Sequence, residues 1–169
     1  MAKLRILGID PGSHHLGVAV IEKDGSKLSL LFADALHAPR GAKLYPRLSA
    51  LQAALKKILS ETKPQVAAVE GIFYAKSVRS AIDLGTARGM VIAECLGLGL
   101  EIHEYAPTSV KMVVAGHGRA DKEQVKKMAQ MILGTRLDHL TLDASDALAI
   151  AICHASSQFS RKLSELSQR

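Results

Sequence analysis

Four carboxylates stand at positions where a carboxylate is costly. Asp10 closes the apolar run "LRILGI" at 4–9, and Glu70 closes "PQVAAV" at 64–69. Asp143 and Asp146 lie three residues apart in "TLDASDALAIAICHA", just ahead of the apolar run "ALAIAI". A buried acid without a partner is expensive. Several drawn together repel until one takes up a proton. Mg²⁺ or Mn²⁺ relieves both costs, because hard cations take oxygen ligands. Two such ions about 4 Å apart can activate a water and stabilise the leaving oxygen of a phosphodiester. The set therefore predicts metal-dependent phosphodiester hydrolysis, with Asp10, Glu70, Asp143 and Asp146 as ligands. Each acid alone also has a simpler role. Asp10 suits a turn before Pro11 and Gly12, Glu70 could pair with Lys76, and Asp143 and Asp146 complement a helix dipole. Two strand ends and a helix pair would all have to arise separately for those roles to explain the pattern.

The acids are useful only if the chain brings them together. Residues 4–9, 16–23 and 27–37 read as three strands, the last two joined at Asp24-Gly25. Leu48, Leu51, Leu55 and Leu59 recur at helical spacing within 43–63. A strand at 64–70, a helix at 77–97 and a strand at 99–107 follow. Residues 107–134 read as two short helices broken at "GHGRAD", and a last helix runs from Leu142 to Ser157. This order predicts an α/β architecture, a mixed five-stranded sheet with helices on both faces. If the first and fourth strands are neighbours, about 4.8 Å apart, Asp10 and Glu70 meet at one sheet edge. Asp143 and Asp146 share one helix face and could reach the same edge. One domain over 1–158 is expected, with a fraying polar tail at 159–169.

The chain has 169 residues, a formal net charge of +6 and a pI of about 9.4. That balance suits a polyanionic partner such as nucleic acid, and ordinary solubility charge suits it equally. Lys76, Arg79, Arg88, Lys111, Arg119, Lys122, Lys126 and Lys127 carry the central and late charge. If roughly six touch phosphates, the log–log salt slope is about −5. Phe73 and Tyr74 sit beside Glu70 in a chain with only 4% aromatics. Either could stack on an exposed base, worth about 1–3 kcal/mol, or pack beneath its own loop. His117 lies in a Gly-flanked loop that could approach DNA, and His139 precedes the acid-bearing helix and could approach the metal site. His103 and His154 read as structural, and no histidine is expected as a metal ligand. Cys95 and Cys153 form no Cys-x-x-Cys motif, which argues against a zinc ribbon and for a reducing cytoplasm. No signal-peptide layout or membrane-length apolar run is present.

"GIDPGS", "VEGIFYAKS", "SVKMVVAGHGRADKEQV" and "DASDALAIAICH", in this order, resemble the crossover junction endodeoxyribonuclease RuvC family. The resemblance implies a ribonuclease-H-like three-layer fold and a homodimer. It implies resolution of Holliday junctions with Mg²⁺ or Mn²⁺, by symmetric paired nicks that leave 5′-phosphate ends, in recombination and DNA repair. The RuvA–RuvB branch-migration proteins are the further partners it implies. By the same resemblance Asp10, Glu70, Asp143 and Asp146 match the acidic catalytic set, and Phe73 matches an aromatic near the junction centre. Lys111 and Lys122 match basic positions in catalysis or backbone contact. The expected DNA-binding set is Phe73, Tyr74, Lys76, Arg79, Lys111, Arg119 and Lys122. Leu16 departs from a position where Thr is common, and the paired His14 and His15 are unexpected. The nearest alternative is a YqgF-type nuclease of the same fold, against which "VEGIFYAKS" and "DASDALAIA" argue. An actin-like ATPase would need a second lobe for which this length leaves no room. A DNA-binding module without catalysis would have no need of all four acids.

Overall fold

Alternation along the strands decides the layering. In β1 (Leu4–Asp10), Ile6 faces one side of the sheet while Leu7 and Ile9 face the other. β2 (His15–Asp24) and β3 (Lys27–His37) complete an antiparallel meander. Then α1 (Leu44–Thr62), β4 (Val66–Glu70), α2 (Val78–Gly97) and β5 (Glu101–Tyr105) alternate. α3 (Pro107–Ala115), α4 (Lys122–Leu133) and α5 (Leu142–Leu166) close the chain. The structure, a computed structural model, describes residues 3–71 and 77–166, those from 158 onward by backbone alone.

The sheet order is β3-β2-β1-β4-β5, with β1–β4 and β4–β5 parallel. This is the expected mixed five-stranded α/β sheet. On one face Leu7, Ile9, Val18 and Val69 pack against Leu51 and Leu55 of α1 and Val91 of α2. On the other, Ile6, Ala19, Ile21 and Ala68 pack against Val110, Val125, Leu148 and Ile152 of α3, α4 and α5. Each fully buried Leu or Ile adds about 1.5–3 kcal/mol. Among the described residues no helix is long and apolar enough to cross a membrane.

Two glycines set how close α5 comes to the sheet. A Cβ on Gly8 would stand 2.0 Å from the Ala147 carbonyl oxygen, and one on Gly17 would stand 2.2 Å from that of Asp143. The first turns of α5 therefore rest on bare strand backbone, which places Asp143 and Asp146 at the carboxyl end of β1. Side-chain caps fix the starts of α2 and α4, while α3 opens on Pro107. Ser77 accepts from the Ser80 amide at α2, and Asp121 with Gln124 forms a capping box at α4. One boundary differs from expectation. α5 continues as helix to Leu166, past Ser157, because "SRKLSEL" contains good helix formers and neither Gly nor Pro.

Candidate active site

β1 and β4 run parallel with Ile9 opposite Val69, so Asp10 and Glu70 follow one another at the same sheet edge. Asp10 also pairs across β1–β2 with Gly17, the residue on which the Asp143 carbonyl rests. Asp10, Asp143 and Asp146 each offer a carboxylate oxygen, and these atoms lie within 4.8 Å of one another. Glu70 stands outside that mutual set. It joins Asp10, Asp146, Lys111 and Lys122 around a cavity of about 340 Å³, whose apolar walls include Val110, Val125 and Ile150. Asp143 does not line that cavity. The four acids thus form two overlapping groups that share Asp10 and Asp146, a finer division than helix spacing could show.

The charge in this corner is poorly compensated. Burial, then the charges of Glu70, Asp146 and Asp143, push the Asp10 carboxyl up to about 8. Burial and then Asp146 also raise Glu70, against a hydrogen bond with Asp10 that lowers it. Among the described residues the only ion pair to any of the four acids is Lys122–Asp146. Burial opposes the Lys122 ammonium, but that hydrogen bond and the charges of Asp146, Asp10 and Asp143 raise its pKa overall. With all four carboxylates ionised, as metal ligands are, Lys111 and Lys122 leave a formal charge of −2. Oxygen-only donors, uncompensated negative charge and an open cavity fit hard divalent cations.

Two of the basic side chains that carry the central and late charge, Arg88 and Lys126, do other work. Arg88 is buried, donates to the Glu70 backbone carbonyl and pairs with Glu104 at 2.7 Å. It holds the end of β4 and is not a phosphate contact. Lys126 donates to the Leu140 carbonyl at 2.7 Å, tying α4 to the turn before α5. Arg79 is exposed but lines a separate groove with Lys43, Tyr45, Arg47 and Asp83. Arg119 is exposed in the α3–α4 loop, and neither it nor Arg79 reaches the acidic cavity. Phe73, Tyr74 and Lys76 lie outside the described residues.

The histidines divide as their surroundings dictate. His154 is buried, its Nδ1 is 2.8 Å from the Tyr105 hydroxyl, and burial, then His103 and Lys23, lower its pKa to about 4. His117 and His139 are exposed and line no part of the acidic cavity. Leu16 is fully buried beneath α1. Sequence reasoning missed Gly8, Gly17 and Arg88 as positioning residues. Glycine within a strand pattern was the available signal for the first two. Nothing local marked Arg88, whose partners come from β4 and β5.

The family model of crossover junction endodeoxyribonuclease RuvC matches residues 6–154. The protein of that name from Chloroflexus aggregans is 43% identical over 152 residues, covering 90% of this chain and 93% of its own length. Its counterpart from Citrifermentans bemidjiense is 44% identical over 153 residues, covering 90% and 92%. Among solved structures, T. thermophilus RuvC in complex with Holliday junction substrate superposes with a TM-score of 0.83 at 33% identity, covering 90% of this chain and 93% of that one. The yeast mitochondrial resolvase Ydc2, at 14% identity and a TM-score of 0.66 over 96% and 84%, shares the fold. These neighbours are resolvases of the ribonuclease-H-like fold, as the sequence led us to expect.

Proposed function

The chain belongs to the crossover junction endodeoxyribonuclease RuvC family, and from that premise we propose that it resolves four-way DNA junctions by metal-dependent, symmetric paired nicking in recombination and repair. The observation that carries this reading is the convergence of Asp10, Asp143 and Asp146 at the carboxyl end of β1. Asp10, Glu70, Asp143 and Asp146 would hold Mg²⁺, with Mn²⁺ as a substitute and two ions per subunit. Bound there, such ions polarise the scissile phosphate and lower the pKa of the attacking water.

The chain's own residues supply the rest. β1 and β4 hold Asp10 and Glu70 rigid, and Arg88 fixes Glu70 through its carbonyl. Lys122, which the structure pairs with Asp146, would turn its ammonium toward the charge that grows on the phosphate. Lys111 adds a second cation across the same cavity. In-line attack leaves a 5′-phosphate and a 3′-hydroxyl that a ligase can seal. Phe73 and Tyr74 would stack on unpaired bases, and Lys76, Arg79 and Arg119 would follow the backbone. With Arg88 and Lys126 engaged internally, six of the eight basic side chains remain, which keeps the salt slope at about −5 per subunit.

Paired nicks need two such pockets, so the working form is a homodimer. α2 offers the surface: Val78, Ile82 and Leu96 are 79%, 60% and 58% exposed. Gly85 and Gly89 lie among them, and a Cβ added at either meets nothing within 4 Å. A second copy of this stripe would cover that apolar area. The RuvA–RuvB branch-migration complex is the further partner. A reducing cytoplasm is the setting, consistent with the two free buried cysteines.

The test sets a synthetic four-way junction against a linear duplex and ATP, with Mg²⁺ or EDTA. Metal-dependent symmetric nicking of the junction alone supports the proposal. ATP hydrolysis without nicking would assign the chain to the ATPase class, and binding without cutting would make it a DNA-binding module.

A further inference from the structure

His15 and His37 face each other directly across β2 and β3. The Ala38 amide donates to the His14 carbonyl at 2.9 Å, so that rung is the hydrogen-bonded one. His15 and His37 are therefore a non-hydrogen-bonded pair, the kind in which side chains approach most closely. Their Nδ1 atoms are 2.7 Å apart and their ring centroids 4.8 Å, with the planes at 77°. Both side chains are exposed. In water, one imidazole donating to another gains little over each bonding to solvent. That hydrogen bond is a weak reason for two histidines to converge.

We propose that His15 and His37 chelate a divalent transition-metal ion of the Zn²⁺, Cu²⁺ or Ni²⁺ class, at a site separate from the oxygen-donor pocket. Two imidazole nitrogens bound at about 2.0–2.1 Å stand roughly 2.9 Å apart at a right angle and 3.4 Å apart at a tetrahedral one. Opening the observed 2.7 Å to either value takes only a small rotation of exposed side chains. Imidazole selects these borderline ions over Mg²⁺, which prefers oxygen.

The site has a defined place in the fold. Residues 15 and 17 of β2 point to the same sheet face, and Gly17 is where the Asp143 carbonyl of α5 rests. The pair thus stands one step along the strand from the start of the acid-bearing helix, yet neither histidine lines the acidic cavity. His14 is not a third ligand, because both its ring nitrogens lie against Nη1 of Arg47, which is buried and also paired with Asp83 at 3.1 Å. No third His, Cys, Asp or Glu joins the pair among the described residues. The remaining coordination positions are left to water or to an incoming oxygen ligand.

The experiment is a calorimetric titration of Zn²⁺ into the full chain in millimolar Mg²⁺, with Cu²⁺ electron paramagnetic resonance beside it. Besides any Zn²⁺ the acidic pocket takes up, one histidine-dependent Zn²⁺ per chain is expected, weakened about tenfold or more by His15→Ala or His37→Ala and retained in Asp146→Asn. The Cu²⁺ spectrum should carry coupling to two imidazole nitrogens, reduced to one in either histidine variant. Both side chains are exposed, so the variants should fold, and unchanged melting temperatures would verify that. Unaltered Zn²⁺ affinity in the double variant overturns the proposal, as does loss of binding in Asp146→Asn. If His15→Ala weakens only junction binding, with no histidine-dependent Zn²⁺ site, the pair is a phosphate contact and the proposal fails.

Discussion

Replacing Asp10 by Asn should stabilise the metal-free protein, increasingly so as the pH rises above about 4. The folded environment holds the Asp10 carboxyl at about 8, chiefly through burial and then through Glu70, Asp146 and Asp143. In the unfolded chain an aspartate ionises near pH 4. Below that pH both states carry the proton and the group adds nothing to the pH dependence. Between pH 4 and 8 the unfolded chain sheds its proton while the folded one keeps it. Stability then falls by about 1.4 kcal/mol per pH unit, and the loss is complete above pH 8. The ceiling is about 5–6 kcal/mol, but Glu70 and Asp146 share the same repulsion and relax it, so about 2 kcal/mol is expected. Asn is neutral and of the same size, and it removes this penalty. At about 2–4 °C per kcal/mol for a chain of this length, the variant in EDTA should melt roughly 4–8 °C higher at pH 8. At about pH 3, below the unfolded value, the two proteins should melt together. Mg²⁺ should raise the wild-type melting temperature at pH 8 and leave the variant nearly unmoved. A variant that melts no higher at pH 8, or equally higher at pH 3, would refute this account of the pocket's electrostatics.

Lys122→Ala should lower the cleavage rate by about 10²–10³-fold, since one positioned charge at a phosphoryl-type transition state is worth roughly 3–4 kcal/mol; single-turnover nicking of a labelled junction measures it. Gly17→Ala forces a Cβ to within 2.2 Å of the Asp143 carbonyl oxygen. It should cost about 1–3 kcal/mol of stability and displace Asp143, read as a lower melting temperature and weaker Mg²⁺ binding. Ile82→Asp places a charge on the exposed stripe of α2 and should give monomers by analytical ultracentrifugation, with single nicks replacing paired ones; an unchanged dimer would move the interface elsewhere.

The acid cluster was legible because each member sits at a boundary that local pattern reveals. Apolar runs marked β1 and β4, and the two acids ended them. Their adjacency, left conditional by the sequence, is settled by the parallel β1–β4 pairing. What stayed hidden depends on atoms that meet only after folding. Arg88 reads as one more surface cation, yet burial beside the Glu70 carbonyl and Glu104 makes it a strut. Lys126 likewise closes the turn before α5. Spacing placed Asp143 and Asp146 on one helix face, but only the approach of α5 over Gly8 and Gly17 decides which acids come within 4.8 Å. The pairing of His15 with His37 rests on strand register, which composition does not encode.

The account stands on ions held by acids that three separate segments contribute. Anomalous diffraction from crystals soaked in Mn²⁺ tests this most directly. It predicts strong peaks between Asp10, Asp143 and Asp146 and beside Glu70, lost in Asp10→Asn. Crystals with no Mn²⁺ peak at these carboxylates, from a protein that still nicks junctions in EDTA, would contradict it.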